Sequence, residues 1–77
     1  MLLYGIDYQF SDGTGSIDSQ LYRSKKEAYD RARQTMMVIY PYSDDYEQEW
    51  KDGYAGVDVY KYGVCIAKAK IIQFELI

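Results

Sequence analysis

An α+β fold, with one helix packed on one face of an antiparallel sheet of four to five strands in the order β-β-α-β-β-β, follows from three observations on this 77-residue chain. Segments near both ends alternate apolar and polar residues with period 2. One internal segment opens on a capping box and repeats its apolar residues at three- and four-residue steps. Turn-forming Gly residues separate the alternating segments. At this length residues 1–77 make a single domain, near the lower limit for folding without covalent staples.

The first strand is LLYGIDYQF, residues 2–10, with Tyr4, Ile6, Tyr8 and Phe10 on one face and Leu3, Gly5, Asp7 and Gln9 on the other. SDGTGS (11–16) predicts a hairpin loop. IDSQLY (17–22) reads as the return strand and a sheet edge, with Ile17, Ser19 and Leu21 on one face and Asp18, Gln20 and Tyr22 on the other.

The helix starts at Ser24-Lys25-Lys26-Glu27, a capping box in which the Ser24 side chain accepts from the Glu27 N–H. Ala28, Ala32, Thr35, Met36 and Ile39 form its core-facing stripe, and Lys26, Asp30, Arg33 and Met37 lie away from it. Pro41 ends the helix by about residue 40.

Residues 41–49 suit either a loop or a strand. Tyr46–Lys51 is a candidate short strand, with Tyr46, Gln48 and Trp50 facing one way and Glu47, Glu49 and Lys51 the other. Asp52-Gly53 predicts a tight hairpin turn into a strand over 54–60. From there to residue 62 the faces alternate, with Asp58, Tyr60 and Tyr62 opposing Val57, Val59 and Lys61. Gly63 marks a second turn. VCIAKAKIIQFELI (64–77) is the longest strand. Its apolar residues sit on odd positions up to Ile71 and on even ones from Ile72, which predicts a β-bulge near Ile71-Ile72.

Composition narrows the function. There is no His, so the commonest general base is absent. Cys65 stands alone inside VCIA, which excludes an internal disulfide and reads as a small buried apolar residue in a reducing, cytoplasmic setting. No phosphate-binding glycine loop, metalloprotease spacing or calcium loop is present. The expectation is a protein that is not an enzyme and needs no cofactor or metal. Met1-Leu2-Leu3 runs at once into Tyr, Gly and Asp, so no signal peptide or membrane span is expected.

The net charge of −3 disfavours a general nucleic-acid binder. Its distribution is uneven. Residues 40–52 carry Asp44, Asp45, Glu47, Glu49 and Asp52 against Lys51, a local −4; residues 23–33 carry Arg23, Lys25, Lys26, Arg31 and Arg33 against Glu27 and Asp30, a local +3. The basic run suits a solvated helix face with Lys26–Asp30 and Glu27–Arg31 pairs; Arg23, Lys25 and Lys26 at the unfavourable end of the helix dipole leave a site for phosphate or an acidic partner as the other reading. Ten Tyr are more than a core this small needs, so several are expected on the surface.

The acidic run coincides with rings in YPYSDDYEQEW, residues 40–50. Tyr42, Asp44, Asp45, Tyr46, Glu47, Glu49, Trp50 and Asp52 are therefore the candidate partner contacts. The carboxylates would complement a basic surface, and Tyr42, Tyr46 and Trp50 would be buried anchors. An edge kept soluble by its charges is the plainer account of the same residues.

In size, absence of catalytic groups, the YPYSDDYEQEW cluster and the strand and capped helix around YRSKKEAYDRA, the chain resembles small, acidic, tyrosine-rich phage proteins that inhibit bacterial defence systems, anti-CRISPR proteins among them. That resemblance implies stoichiometric binding to a defence nuclease in the bacterial cytoplasm, at a surface that recognises nucleic acid or a required subunit. A small single-stranded nucleic-acid binder, stacking bases on Tyr, and a homodimeric assembly protein are the alternatives.

Overall fold

The computed structural model describes residues 1–18, 20–41 and 45–75. The elements are β1 (Leu2–Phe10), β2 (Gly15–Ile17), α1 (Lys25–Ile39), β3 (Tyr46–Trp50), a 3-10 turn (Asp52–Tyr54), β4 (Gly56–Lys61) and β5 (Val64–Glu75). The five strands form one antiparallel sheet in the order β2-β1-β5-β4-β3. The helix packs on one face, as the sequence predicts, and no described helix covers the other, open face.

Period-2 alternation decides which face each strand buries. Ile6 and Tyr8 of β1, Val57 and Val59 of β4, and Ala67, Ala69 and Ile71 of β5 all enter the core beneath the helix. The helix contributes Ala28, Tyr29, Ala32 and Met36. Alanines on both sides of the contact let the helix lie close to the central strand, while Met36 fills space between them. Ser24 caps the helix by accepting from the Glu27 N–H at 3.0 Å.

Ile39 departs from the predicted stripe. It keeps the right angular phase but lies in the last turn, where 47% of it stays exposed, and Tyr29 takes its place in the core.

The return strand is shorter than expected. β2 covers only residues 15–17; then the Asp18 carboxylate accepts from the Gln20 N–H at 3.1 Å and draws the chain out of the ladder. The chain rejoins at Tyr22, which bridges Tyr4.

The predicted bulge in β5 is displaced. β1 and β5 pair without interruption through Ile6↔Ile71 and Gly5↔Ile72, so Ile72 and Phe74 turn to the open face. There they meet Gly5 and Leu21: a Cβ at Gly5 would lie 2.9 Å from Phe74 Cε2 and 3.5 Å from Leu21 Cδ2. The register shift falls instead between Val59 and Tyr60, where Val59 faces Ala67 but Tyr60 faces Cys65. The extra residue is Ile66, which packs on the core.

The turns also exchange roles. Asp52-Gly53 does not make a two-residue hairpin. The chain takes a wider loop in which Gly53 (φ 69°) and Tyr54 (φ 57°) are left-handed, and the Tyr54 ring meets Tyr29 of the helix edge-on at 5.2 Å. The tight turn is Tyr62-Gly63, with φ of 50° and 78°, as a type I′ hairpin requires.

Gly56 starts β4 against β5 so closely that a Cβ there would collide with the Ala69 carbonyl oxygen. Backbone cannot yield as a side chain can. Gly56→Ala should therefore cost about 1–3 kcal/mol and lower Tm by something of order 10 °C; an unchanged melting curve would show that β4 and β5 can separate without penalty.

A candidate partner-binding face on β3 and β4

β3 is a sheet edge, and its register with β4 builds the site. The pairs are Tyr46↔Lys61, Glu47↔Tyr60, Gln48↔Val59, Glu49↔Asp58 and Trp50↔Val57. Residues opposite one another share a face. Tyr46, Gln48 and Trp50 thus lie on the helix side with Val57 and Val59. Glu47 and Glu49 lie on the open side with Asp58 and Tyr60.

The rings are held by the protein itself. The Tyr46 ring is 5.4 Å from that of Tyr40, and Lys61 Nζ lies 5.6 Å above it. The Trp50 indole carries the Arg33 guanidinium at 3.7 Å on its face, and its Nε1–H donates to Gln48 Oε1 at 3.2 Å. Arg33 also reaches Tyr29, at 5.8 Å. Trp50 nevertheless stays 52% exposed, a fixed ring rather than a buried one.

The acids form an ordered row on the other side. Lys51 Nζ reaches Glu49 at 2.9 Å and Asp58 at 3.4 Å. The hydrogen bond from Lys51 holds the Glu49 carboxyl below the usual glutamate range, so Glu49 stays anionic in mild acid. Asp58 is the buried member of the row, and it stands opposite Lys68 on β5. Glu47 has no ion pair among the described residues. Burial, and then the charge of Glu49, push the Tyr60 phenol up and keep it protonated. Glu47, Gln48, Glu49, Tyr60 and Gly63 line a shallow depression along this edge.

The candidate contacts are therefore divided. Glu47 and Glu49 share the open face, while Tyr46 and Trp50 stand on the reverse of the same strand. Asp45 accepts from the Tyr62 hydroxyl at 2.9 Å, ahead of β3. Asp52 is exposed in the 3-10 turn beyond it. Tyr42 and Asp44 lie outside the described residues.

Three members of the site do not stand out in the sequence: Asp58, Lys51 and Arg33. Lys51 shares the face of Glu49 by alternation alone, but Asp58 joins the pair only once the β3–β4 register is known. Arg33 reaches Trp50 only once the helix lies over the sheet.

Most rings turn inward. Tyr8, Tyr22 and Tyr29 are buried, and Tyr4, Tyr40 and Tyr46 pack against the core. Among the described strand residues, Tyr60 is the tyrosine on the open face, whereas Tyr54 and Tyr62 are exposed in turns. Cys65 is half-buried, its Sγ 3.6 Å from the Ala67 carbonyl oxygen.

Among the described residues no group of three or more His, Cys, Asp or Glu is placed to hold a metal ion, and no helix is long and apolar enough to cross a membrane. No family model, curated protein or solved structure matches the chain.

The chain's single Trp makes its support measurable. Arg33→Ala should red-shift Trp50 fluorescence and cost about 0.5–2 kcal/mol. Arg33→Lys, which keeps the charge but not the flat stack, should fall between. Unchanged emission in Arg33→Ala would mean that the guanidinium does not cover the indole in solution.

Proposed function

We propose that this chain is a non-enzymatic protein-binding inhibitor that docks through the acidic β3–β4 edge onto a basic surface of another protein. The observation that carries this reading is the placement of Glu47 and Glu49 side by side on an exposed edge strand, with Asp58 behind them. Carboxylates two residues apart on a strand stand about 7 Å from one another. Such a row presents regularly spaced negative charge, the feature a nucleic-acid groove recognises.

The support behind the row favours binding over simple solvation. Arg33 and Trp50 brace β3 from the helix side, so the carboxylates stand on a strand that loses little freedom on docking. Trp50 and Tyr54 add exposed ring area on the helix side of the same edge, and Tyr62 adds more beside Asp45.

In its finer form, the partner is a bacterial defence nuclease, and the acidic row occupies a surface that would otherwise hold nucleic acid. This finer form rests on the resemblance to phage anti-defence proteins. An overall charge of −3 is modest, so shape and ring contacts share the recognition with charge.

The test is co-purification with candidate defence nucleases, followed by measurement of affinity for the one retained. Glu47→Lys with Glu49→Lys should lower that affinity at least about tenfold, and wild-type binding should weaken as salt rises. Equal capture of the charge-reversed and wild-type proteins would refute the assignment of the face.

A further inference from the structure

The backbone of β3 carries information that its side chains do not. Lys51 N–H donates to the Gly56 carbonyl at 2.9 Å, which makes Lys51↔Gly56 a hydrogen-bonded pair. In an antiparallel ladder such pairs alternate with non-hydrogen-bonded ones. Continuing the register, Glu49↔Asp58 and Glu47↔Tyr60 turn their peptide groups inward, toward β4. The intervening Tyr46, Gln48 and Trp50 turn theirs outward. The neighbouring ladder agrees: Ile71 N–H donates to the Ala55 carbonyl at 2.9 Å, which sets the peptide groups of Val57 and Val59 toward β5 rather than β3.

The outer edge of β3 is thus a row of N–H and C=O groups to which no described strand pairs. The geometry points to this edge as a docking strand for an extended segment of a partner protein, with Lys or Arg at alternate positions. The segment would add a sixth strand beside β3. Its basic residues would stand beside Glu47 and Glu49 on the open face; the intervening ones, apolar or aromatic, would lie beside Tyr46, Gln48 and Trp50 on the ring-bearing face.

Charge selects this occupant over a second copy of the chain. Pairing two β3 strands with both helices on the same side of the joined sheet sets Glu47 of one against Glu49 of the other, twice. Like charges directly opposite are destabilising, whereas opposite charges contribute favourably. The carboxylates that discourage self-pairing therefore favour a basic strand. The opposite edge of the sheet is a poorer template, since β2 is three residues long.

This inference rests on the proposed basic partner and adds the mode of contact. The probe is a short synthetic peptide of alternating Lys and Val, with a Glu-and-Val peptide as control. Binding of the first and not the second should protect the Tyr46, Gln48 and Trp50 amide protons from exchange.

Gln48→Pro is the discriminating variant. Its ring replaces an N–H that points to solvent, a position where an edge strand accepts proline. It should retain the fold yet bind the Lys peptide at least about tenfold more weakly. If Gln48→Pro unfolds, a Lys peptide N-methylated at alternate residues tests the same contact on the unaltered protein, and should bind equally poorly.

Loss of binding in Glu47→Lys with Glu49→Lys, but undiminished binding in Gln48→Pro or to the N-methylated peptide, would overturn strand addition and leave the acidic face standing. Undiminished binding throughout would overturn both. A peptide-free dimer with its β3 amides protected would also overturn the inference, because the second copy would then be the occupant.

Discussion

The pairing of β1 with β5 is the constraint on which the rest of the molecule depends. It runs through nine residue pairs, from Leu2↔Glu75 to Phe10↔Ala67, without a register shift. These strands are far apart in sequence, so the pairing closes most of the described chain into one loop and carries a loop-closure cost. It is stabilised from both sides. Ile6, Tyr8, Ala67, Ala69 and Ile71 lie beneath the helix, while Ile72 and Phe74 meet Gly5 and Leu21 on the open face. A one-residue slip would turn the buried set outward.

Once β5 is central, the position of β3 follows. The tight Tyr62-Gly63 turn places β4 on the free side of β5, and the wider loop over 51–55 places β3 beyond β4. The bulge at Ile66 brings Tyr60 opposite Cys65 on β5, and the unbroken β3–β4 register sets Tyr60 and Glu47 together on the open face. The acidic edge is therefore a consequence of the topology. Its charges stand where a sheet would otherwise propagate, and the same topology puts the helix where Arg33 can cover Trp50.

Much of this was legible in the sequence because it is local. Alternation in 2–10, the capping box at Ser24 and the division of Tyr46, Gln48 and Trp50 from Glu47 and Glu49 each depend on periodicity within one segment. The rest depends on register between segments. A two-residue turn at Asp52-Gly53 would set Glu47 opposite Asp58; the wider loop sets Glu49 there. The parity, and so the face, is the same in both registers, but the neighbour is not, which is why the Lys51–Glu49–Asp58 grouping was hidden. The odd-to-even change at Ile71-Ile72 suggests a bulge only if every apolar residue must share one face. Leu21, brought in by the bridge from Tyr22 to Tyr4, makes the second face apolar as well.

The abundance of tyrosine takes a physical meaning from the same geometry. A chain this short buries too little surface to spend its rings freely. Tyr supplies large apolar area at a core boundary while its hydroxyl reaches outward. Tyr4, Tyr40 and Tyr46 occupy that boundary, and Tyr22 places its hydroxyl 3.5 Å from the Asp18 carboxylate, a marginal contact. Tyr8 lies deeper, and burial pushes its phenol up, so it stays neutral. With these rings sealing the helix side, polar and charged side chains are left to define the β3–β4 end of the open face. The mixture of acid and ring in YPYSDDYEQEW is thus resolved by the pleat of one strand: the rings of Tyr46 and Trp50 fasten β3 to the fold, and Glu47 and Glu49 face the surroundings.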